Sequence, residues 1–422
     1  MCRFLVYCGS SPIILSKLVI EPSHSILTQS YDSRLRLDSR RPVNGDGFGI
    51  GWYTDPSLGP DPCIFTSAIP AWNCTNLERL APKTSSKLFF AHVRATTEGS
   101  LADDNCHPFQ HETLMWMHNG NIGAWKAVKR PLATSIRNRW FLSVKGGTDS
   151  EWAFALFLDT LESLGVDPSS HPEGGFPPQL LRKAMKETIA KINAFVKTAT
   201  DELDQIKPPN GLKPPPAPSD LETRSLLNFA LTDGHSVIVT RYVSSPTDAA
   251  ASLYYSSGTA WVQGPQPGQF RMERRDKASD VVLIASEPLT FERHNWLSVP
   301  TNTIVTVSNQ TVDVRPVRDE NWVDGVEGEA PGGGTETPMV GPGTPKPLVE
   351  ESTGLSVRTK GGSAAEAAEV SDGDDDDDDG PMNTHKRGTN GSRGEMDFFN
   401  MRAREVSDHN GGGGGRENIW AT

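Results

Sequence analysis

The chain has no run of 18 apolar residues, no basic-then-apolar leader at its N-terminus and no C-x-x-C pair. These absences argue against a membrane-spanning helix, a secretory signal and a zinc knuckle respectively. Cysteines are few: Cys2, Cys8, Cys63, Cys74 and Cys106, an odd and scattered set that does not read as a disulfide framework. A cytoplasmic, reducing setting is the expectation. Basic excess is also missing. The formal net charge is −12, and residues 321–422, with nine Lys/Arg against 20 Asp/Glu, carry nearly all of it. Residues 1–320 are therefore close to neutral, and nothing in them suggests nucleic-acid binding. Apolar residues amount to only 36%, beside 39 Gly and 32 Pro, so part of the chain is not expected to build a core.

What is present divides at about residue 320. Beyond it, GVEGEAPGGG, SDGDDDDDDG and HNGGGGG offer too little apolar area to offset ordering entropy, which predicts a disordered, acidic and Gly-rich tail over 321–422. Before it, CRFLVYC (2–8), GFGIGWYT (47–54), SKLFFAHVRAT (86–96) and TLMWMHNG (113–120) read as strands, the last ending in an Asn-Gly turn. A helix is predicted from 149, with Asp149 or Ser150 as its N-cap and Gly165 as its stop. A second runs from Pro178 to about Gln205, where Leu181, Met185, Ile189, Ile192 and Val196 keep a helical period. A Pro-rich piece, KPPNGLKPPPAPSD (207–220), precedes six further short strand-like segments. Strands on both sides of a helical pair predict one α+β domain over 2–320, with two sheets, helices outside them and a loop and helix insertion at about 165–220.

Cys2 raises a chemical possibility. Once Met1 is removed, thiol and α-amine share one residue, and the amine, with a pKa of roughly 7.7–8, can take the thiol proton. An amide nitrogen cannot do this while Met1 remains. Alone, a cysteine at position 2 is weak evidence. Four further segments accompany it: FAHVRATTEG (90–99), NCHPF (105–109), MHNGNI (117–122) and TDSE (148–151). Taken singly, Arg94 also reads as an ion-pair residue at a strand end, Asn119-Gly120 as an ordinary turn and Asp149 as a helix cap.

Together and in this order, the segments resemble the class II, N-terminal-cysteine glutamine amidotransferases. The resemblance spans about residues 2–320 and is clearest over 2–160. It implies an α+β fold of four αββα layers, the N-terminal nucleophile hydrolase fold, with two antiparallel sheets between helical layers. It implies Cys2 as nucleophile, Asn119 and the Gly120 amide as oxyanion hole, Arg94 as the grip on a substrate α-carboxylate and Asp149 as receiver of its α-ammonium. His92, Thr97, His107 and His118 are expected to support the pocket, with no metal and no cofactor, and no structural reason is seen to gather the histidines round one point. Segment 41–54, with Gly45, Gly47 and Gly49, is expected to run beside the nucleophile strand and to allow close backbone packing. The register departs from the family after Arg94, where Ala95 and Glu98 stand in place of Trp and His.

In overall layout, including NFALTDG (228–234) and IASEPLT (284–290), the chain is similar to the stand-alone Dug-type amidotransferase component of fungal glutathione degradation. That likeness implies cleavage of a γ-glutamyl bond, to glutamate and cysteinylglycine from glutathione, alongside a metallopeptidase-family protein partner. A glutaminase or γ-glutamyl hydrolase of ergothioneine-type biosynthesis is the alternative. A catalytically inactive assembly subunit is the reading from a different class.

Overall fold

The computed structural model describes residues 2–32, 43–96, 99–205, 222–275 and 279–323. Met1, Thr97, Glu98, the Pro-rich piece and all but the first residues of the expected tail lie outside these.

Seven strands form the first sheet, in the order β13 (Leu297–Ser298), β9 (Tyr254–Gly258), β12 (Val281–Ala285), β1 (Arg3–Ile14), β4 (Ser85–Val93), β2 (Phe48–Trp52), β3 (Cys63–Ser67). Six form the second: β15 (Thr311–Pro316), β14 (Thr303–Ser308), β8 (Ser236–Arg241), β7 (Leu226–Thr232), β6 (Leu114–Asn121), β5 (Phe109–His111). Pairing in both is antiparallel. A small hairpin joins β10 (Ala260–Gln263) to β11 (Phe270–Glu273).

Side-chain alternation sorts these strands into layers. On β1, Phe4, Val6 and Cys8 point one way and meet Met115 and Met117 of β6, Ala230 of β7 and Val237 and Val239 of β8. This is the core between the sheets. Leu5 and Tyr7 point the other way, toward α1 (Ser16–Val19), α2 (Ile26–Tyr31) and α3 (Thr75–Leu80). The outer face of the second sheet, through Trp116, Phe229 and Ile238, meets α4 (Trp125–Ser135), α6 (Asp149–Ser163) and α7 (Pro178–Gln205). A sixth short helix, α5 (Asn138–Ser143), lies against α6. Because both faces of β1 are covered, its residues read as a continuous apolar run rather than an alternating one. The protein is thus an α+β fold of two antiparallel sheets flanked by helical layers.

Three local expectations need correction. Asn119-Gly120 is no turn: both residues lie inside β6, opposite Asn228 and Leu227 of β7. The N-cap of α6 is Thr148, whose Oγ1 accepts the Glu151 amide at 3.4 Å, and not Asp149 or Ser150. And β2 does not border β1; β4 lies between them. Close packing does occur on β2, where a Cβ at Gly49 would stand 2.2 Å from the His107 carbonyl oxygen.

Candidate active site

Cys2 leads directly into β1 and is buried. Its Sγ receives the Ala95 amide at 3.3 Å and stands 3.6 Å from the Ala95 carbonyl oxygen. Burial pushes the thiol up, while the Ala95 hydrogen bond and the Arg94 and Arg3 guanidinium groups act in the opposite direction. The small side chain at 95 leaves its backbone N–H directed at the sulfur. Arg3 has its Nη1 on the Cys2 carbonyl at 2.9 Å, and its Nε meets Glu287 in an ion pair that is buried on both sides.

Arg94 follows β4 and is buried. Its Nη1 donates to the Ser100 carbonyl at 3.1 Å. The same carbonyl accepts Asn105 Nδ2 at 3.0 Å, and Asn105 Oδ1 accepts the Gly147 amide at 2.9 Å. Arg94 is thereby tied to the residues that open α6. On the second sheet, Asn119 Nδ2 donates to Ser286 Oγ at 3.1 Å, and its Oδ1 is buried without a hydrogen-bond partner among the described residues. Gly120 has φ +157°, and a Cβ there would stand 1.7 Å from the Leu226 carbonyl oxygen, so no other residue fits.

Asp149 begins α6, where a carboxylate suits the helix dipole. Its Oδ2 accepts the Ile122 amide at 2.8 Å. Ser150 Oγ faces two acceptors, Asp149 Oδ1 at 3.3 Å and His118 Nδ1 at 2.9 Å. His118 Nε2 lies 2.9 Å from the Leu226 carbonyl, so it carries the ring proton, and Nδ1 accepts in the neutral ring. Glu151, the last letter of TDSE, accepts the amides of Lys145 and Gly146 at 2.8 and 2.6 Å and so fixes the loop before the helix.

The structure gathers two of the histidines, against the expectation that nothing would. His107 Nδ1 is 2.9 Å from His92 Nε2, and His92 Nε2 is 3.3 Å from the His118 carbonyl. Burial holds the rings neutral, His92 down to about 3 and His107 well below its ordinary value. Their ligand atoms do not meet at a point. Among the described residues the group with that geometry is Asp61, Glu112 and His171, all exposed and sharing no residue with the site above. A cavity of about 300 Å³ lined by Cys106, Lys145 and Glu151 likewise contains none of Cys2, Arg94, Asn119 or Asp149. The contributions of Ser286, Glu287 and Arg3 were not legible in advance, because their partners lie as many as 284 residues away in sequence.

Two antiparallel sheets face to face, clad by helices, with a buried cysteine leading into a central strand, make up the architecture of the N-terminal nucleophile hydrolases. Residues 26–195 match the family described as glutamine amidotransferases class-II. Over 324 residues the chain is 50% identical to a Saccharomyces cerevisiae protein named "Probable glutamine amidotransferase DUG3", covering 76% of this chain and 86% of that one. It is 30% identical over 168 residues to the gamma-glutamyl-hercynylcysteine sulfoxide hydrolase of Mycolicibacterium smegmatis, covering 40% of this chain and 65% of that one. A solved glutamine aminotransferase class-II domain protein of Silicibacter pomeroyi covers 75% of this chain and 100% of its own, at 22% identity and a TM-score of 0.45. The chain belongs to the class-II glutamine amidotransferase family.

Proposed function

We propose that the protein is a cysteine-dependent γ-glutamyl amide hydrolase that cleaves glutathione to glutamate and cysteinylglycine. The observation that supports this most is a ring of contacts joining four buried groups. Cys2 reaches Asn119 through Phe4 and Ser286, Asn119 reaches Asp149 through His118 and Ser150, and Asp149 returns to Arg94 through Gly147, Asn105 and Ser100. In this reading Arg94 takes the α-carboxylate of the glutamyl end, for which a planar guanidinium is suited. Asp149 takes the α-ammonium. After Met1 is removed, the Cys2 amine withdraws the thiol proton and the sulfur attacks the γ-carbonyl carbon. The developing oxyanion is met by Asn119 Nδ2 and the Gly120 amide. The C–N bond then breaks, the proton passes to the leaving amine, and water hydrolyses the thioester to free glutamate and the thiol.

Burial raises the thiol pKa, so activation has to come from groups that act in the bound complex and not from a resting thiolate. Five free cysteines suit a reducing compartment, and we place the protein in the cytoplasm on that ground. No helix among the described residues is long and apolar enough to cross a membrane. A metallopeptidase-family protein is the proposed partner. The similarity to an enzyme named for a γ-glutamyl-hercynylcysteine sulfoxide favours one second reading, a γ-glutamyl hydrolase of ergothioneine-type synthesis.

The test compares glutathione, L-glutamine and a γ-glutamyl thiohistidine precursor as substrates for the purified chain, with and without candidate metallopeptidase partners. Release of glutamate from glutathione above the other two is expected, and Cys2→Ala should abolish it. No release from any of the three, under any condition, would contradict the reading.

A further inference from the structure

We infer that Ser286 and Glu287 act as a positioning pair that sets the nucleophile and the oxyanion donor at a fixed distance from each other. The inference rests on the function proposed above and adds two residues to it. Ser286 comes directly after β12, at the end of the first sheet where Cys2 lies. It is fully buried. Its backbone is anchored on two sides: its N–H donates to the Phe4 carbonyl at 3.0 Å, and its carbonyl accepts Ser252 Oγ at 2.9 Å. Its side chain has little freedom to reorient.

The hydroxyl oxygen accepts two hydrogen bonds, from the Phe4 amide at 3.0 Å and from Asn119 Nδ2 at 3.1 Å. These donors belong to different sheets. Phe4 is two residues past Cys2 on β1, whereas Asn119 is on β6. Elsewhere the sheets meet through apolar side chains, which are non-directional and tolerate sliding. One oxygen bonded to both strands is directional, and it holds one hydrogen of the Asn119 amide so that the other can point at a developing oxyanion.

Glu287 completes the arrangement on the side of the nucleophile. Its carboxylate pairs with Arg3 Nε, and Arg3 Nη1 holds the Cys2 carbonyl at 2.9 Å. Both side chains are buried, at 3% exposure for Arg3 and 0% for Glu287. An arginine with its charge met in this way is a fixed donor and not a mobile one. It anchors the single peptide unit that carries both the sulfur and, after processing, the amine. Ser286 therefore locates Asn119 against β1, and Glu287 locates Cys2 against the same segment.

The experiment is a double-mutant cycle on γ-glutamyl hydrolysis by the full chain. Ser286→Ala is expected to lower kcat about 30-fold with KM within about 3-fold, a loss of transition-state stabilisation alone. In an Asn119→Ala background the same change should cost less than about 3-fold, because its target is gone. A purely structural role would instead give losses that multiply in full. Glu287→Gln, which keeps the shape and removes the charge, should slow alkylation of Cys2 by iodoacetamide and leave the Ser286–Asn119 coupling intact. Should Ser286→Ala fail to fold, Ser286→Cys retains a weak acceptor in a similar volume and enters the same cycle. Wild-type kcat in the Ser286 variant, or full multiplication of the two losses, overturns the inference while leaving Cys2 as nucleophile. Full activity in Cys2→Ala overturns both.

Discussion

The two banks of the candidate site are built from different interactions. The bank on the first sheet, with Cys2, Arg3 and Glu287, is held by a buried ion pair. The bank on the second sheet, with Asn119, His118, Ser150 and Asp149, is held by hydrogen bonds among groups of which the histidines are kept neutral by burial. A buried ion pair is rigid but intolerant of losing one partner, since the charge left behind has no water to solvate it. A network built on neutral histidine is tolerant of salt but intolerant of acid, since protonation supplies a hydrogen where an acceptor is required. The same site is therefore expected to fail in two distinguishable ways.

The largest effect should come from the ionic bank. Glu287→Ala strands Arg3 and is expected to cost about 3–5 kcal/mol of stability in urea unfolding. A combined Arg3→Met and Glu287→Leu variant should regain most of it. A single variant as stable as the wild type would show that the pair is not where this bank gets its rigidity. On the opposite bank, Asn119→Ala should lower kcat about 10²–10³-fold and leave the melting temperature within a few degrees. A rise in KM with kcat unchanged would assign the side chain to substrate binding and not to the oxyanion.

Acid separates the banks directly. His92 is pushed down to about 3 in the folded protein by burial, and His107 and His118 are lowered too, whereas in the unfolded chain all three titrate near 6.5. The unfolded state therefore binds more protons below about 6.5, and stability falls as pH drops from there toward 3. Urea midpoints at pH 7.5, 6 and 5 should decrease in that order, and a flat series would remove the neutral-histidine account. The smallest effect concerns the cap of α6. Thr148→Ala should cost about 1 kcal/mol, and Thr148→Ser should restore it. No loss in the alanine variant would mean that the Glu151 amide is satisfied elsewhere.

Legibility of the sequence differed in the same way between short-range and long-range features. The strand at 2–8, the helix from 178 to 205 and the glycine stop at Gly165 follow from local pattern, and the chain adopts them. Asn119-Gly120 looked like a turn because the pair favours one locally. It is strand because β7, more than 100 residues later, pairs with it, and because Gly120 alone fits beneath the Leu226 carbonyl. Helix α4 carries Pro131 in its interior, a signal that normally argues for a break. The motif residues were visible through their order along the chain. The groups that hold them, Ser286 and Glu287, were visible as letters only, since a hydroxyl's partner 167 residues away leaves no local trace. The histidines failed for the opposite reason: their spacing was plain, but only the antiparallel pairing of β1, β4 and β2 against the second sheet decides which rings touch.

Acid-quenched peptide mass spectrometry of the enzyme during turnover of a γ-glutamyl substrate tests the central claim most directly. The account predicts an N-terminal peptide that starts at Cys2 and carries a glutamyl thioester on its sulfur. A turning-over sample whose N-terminal peptide still begins with Met1, with the acyl group absent or on another residue, would contradict it.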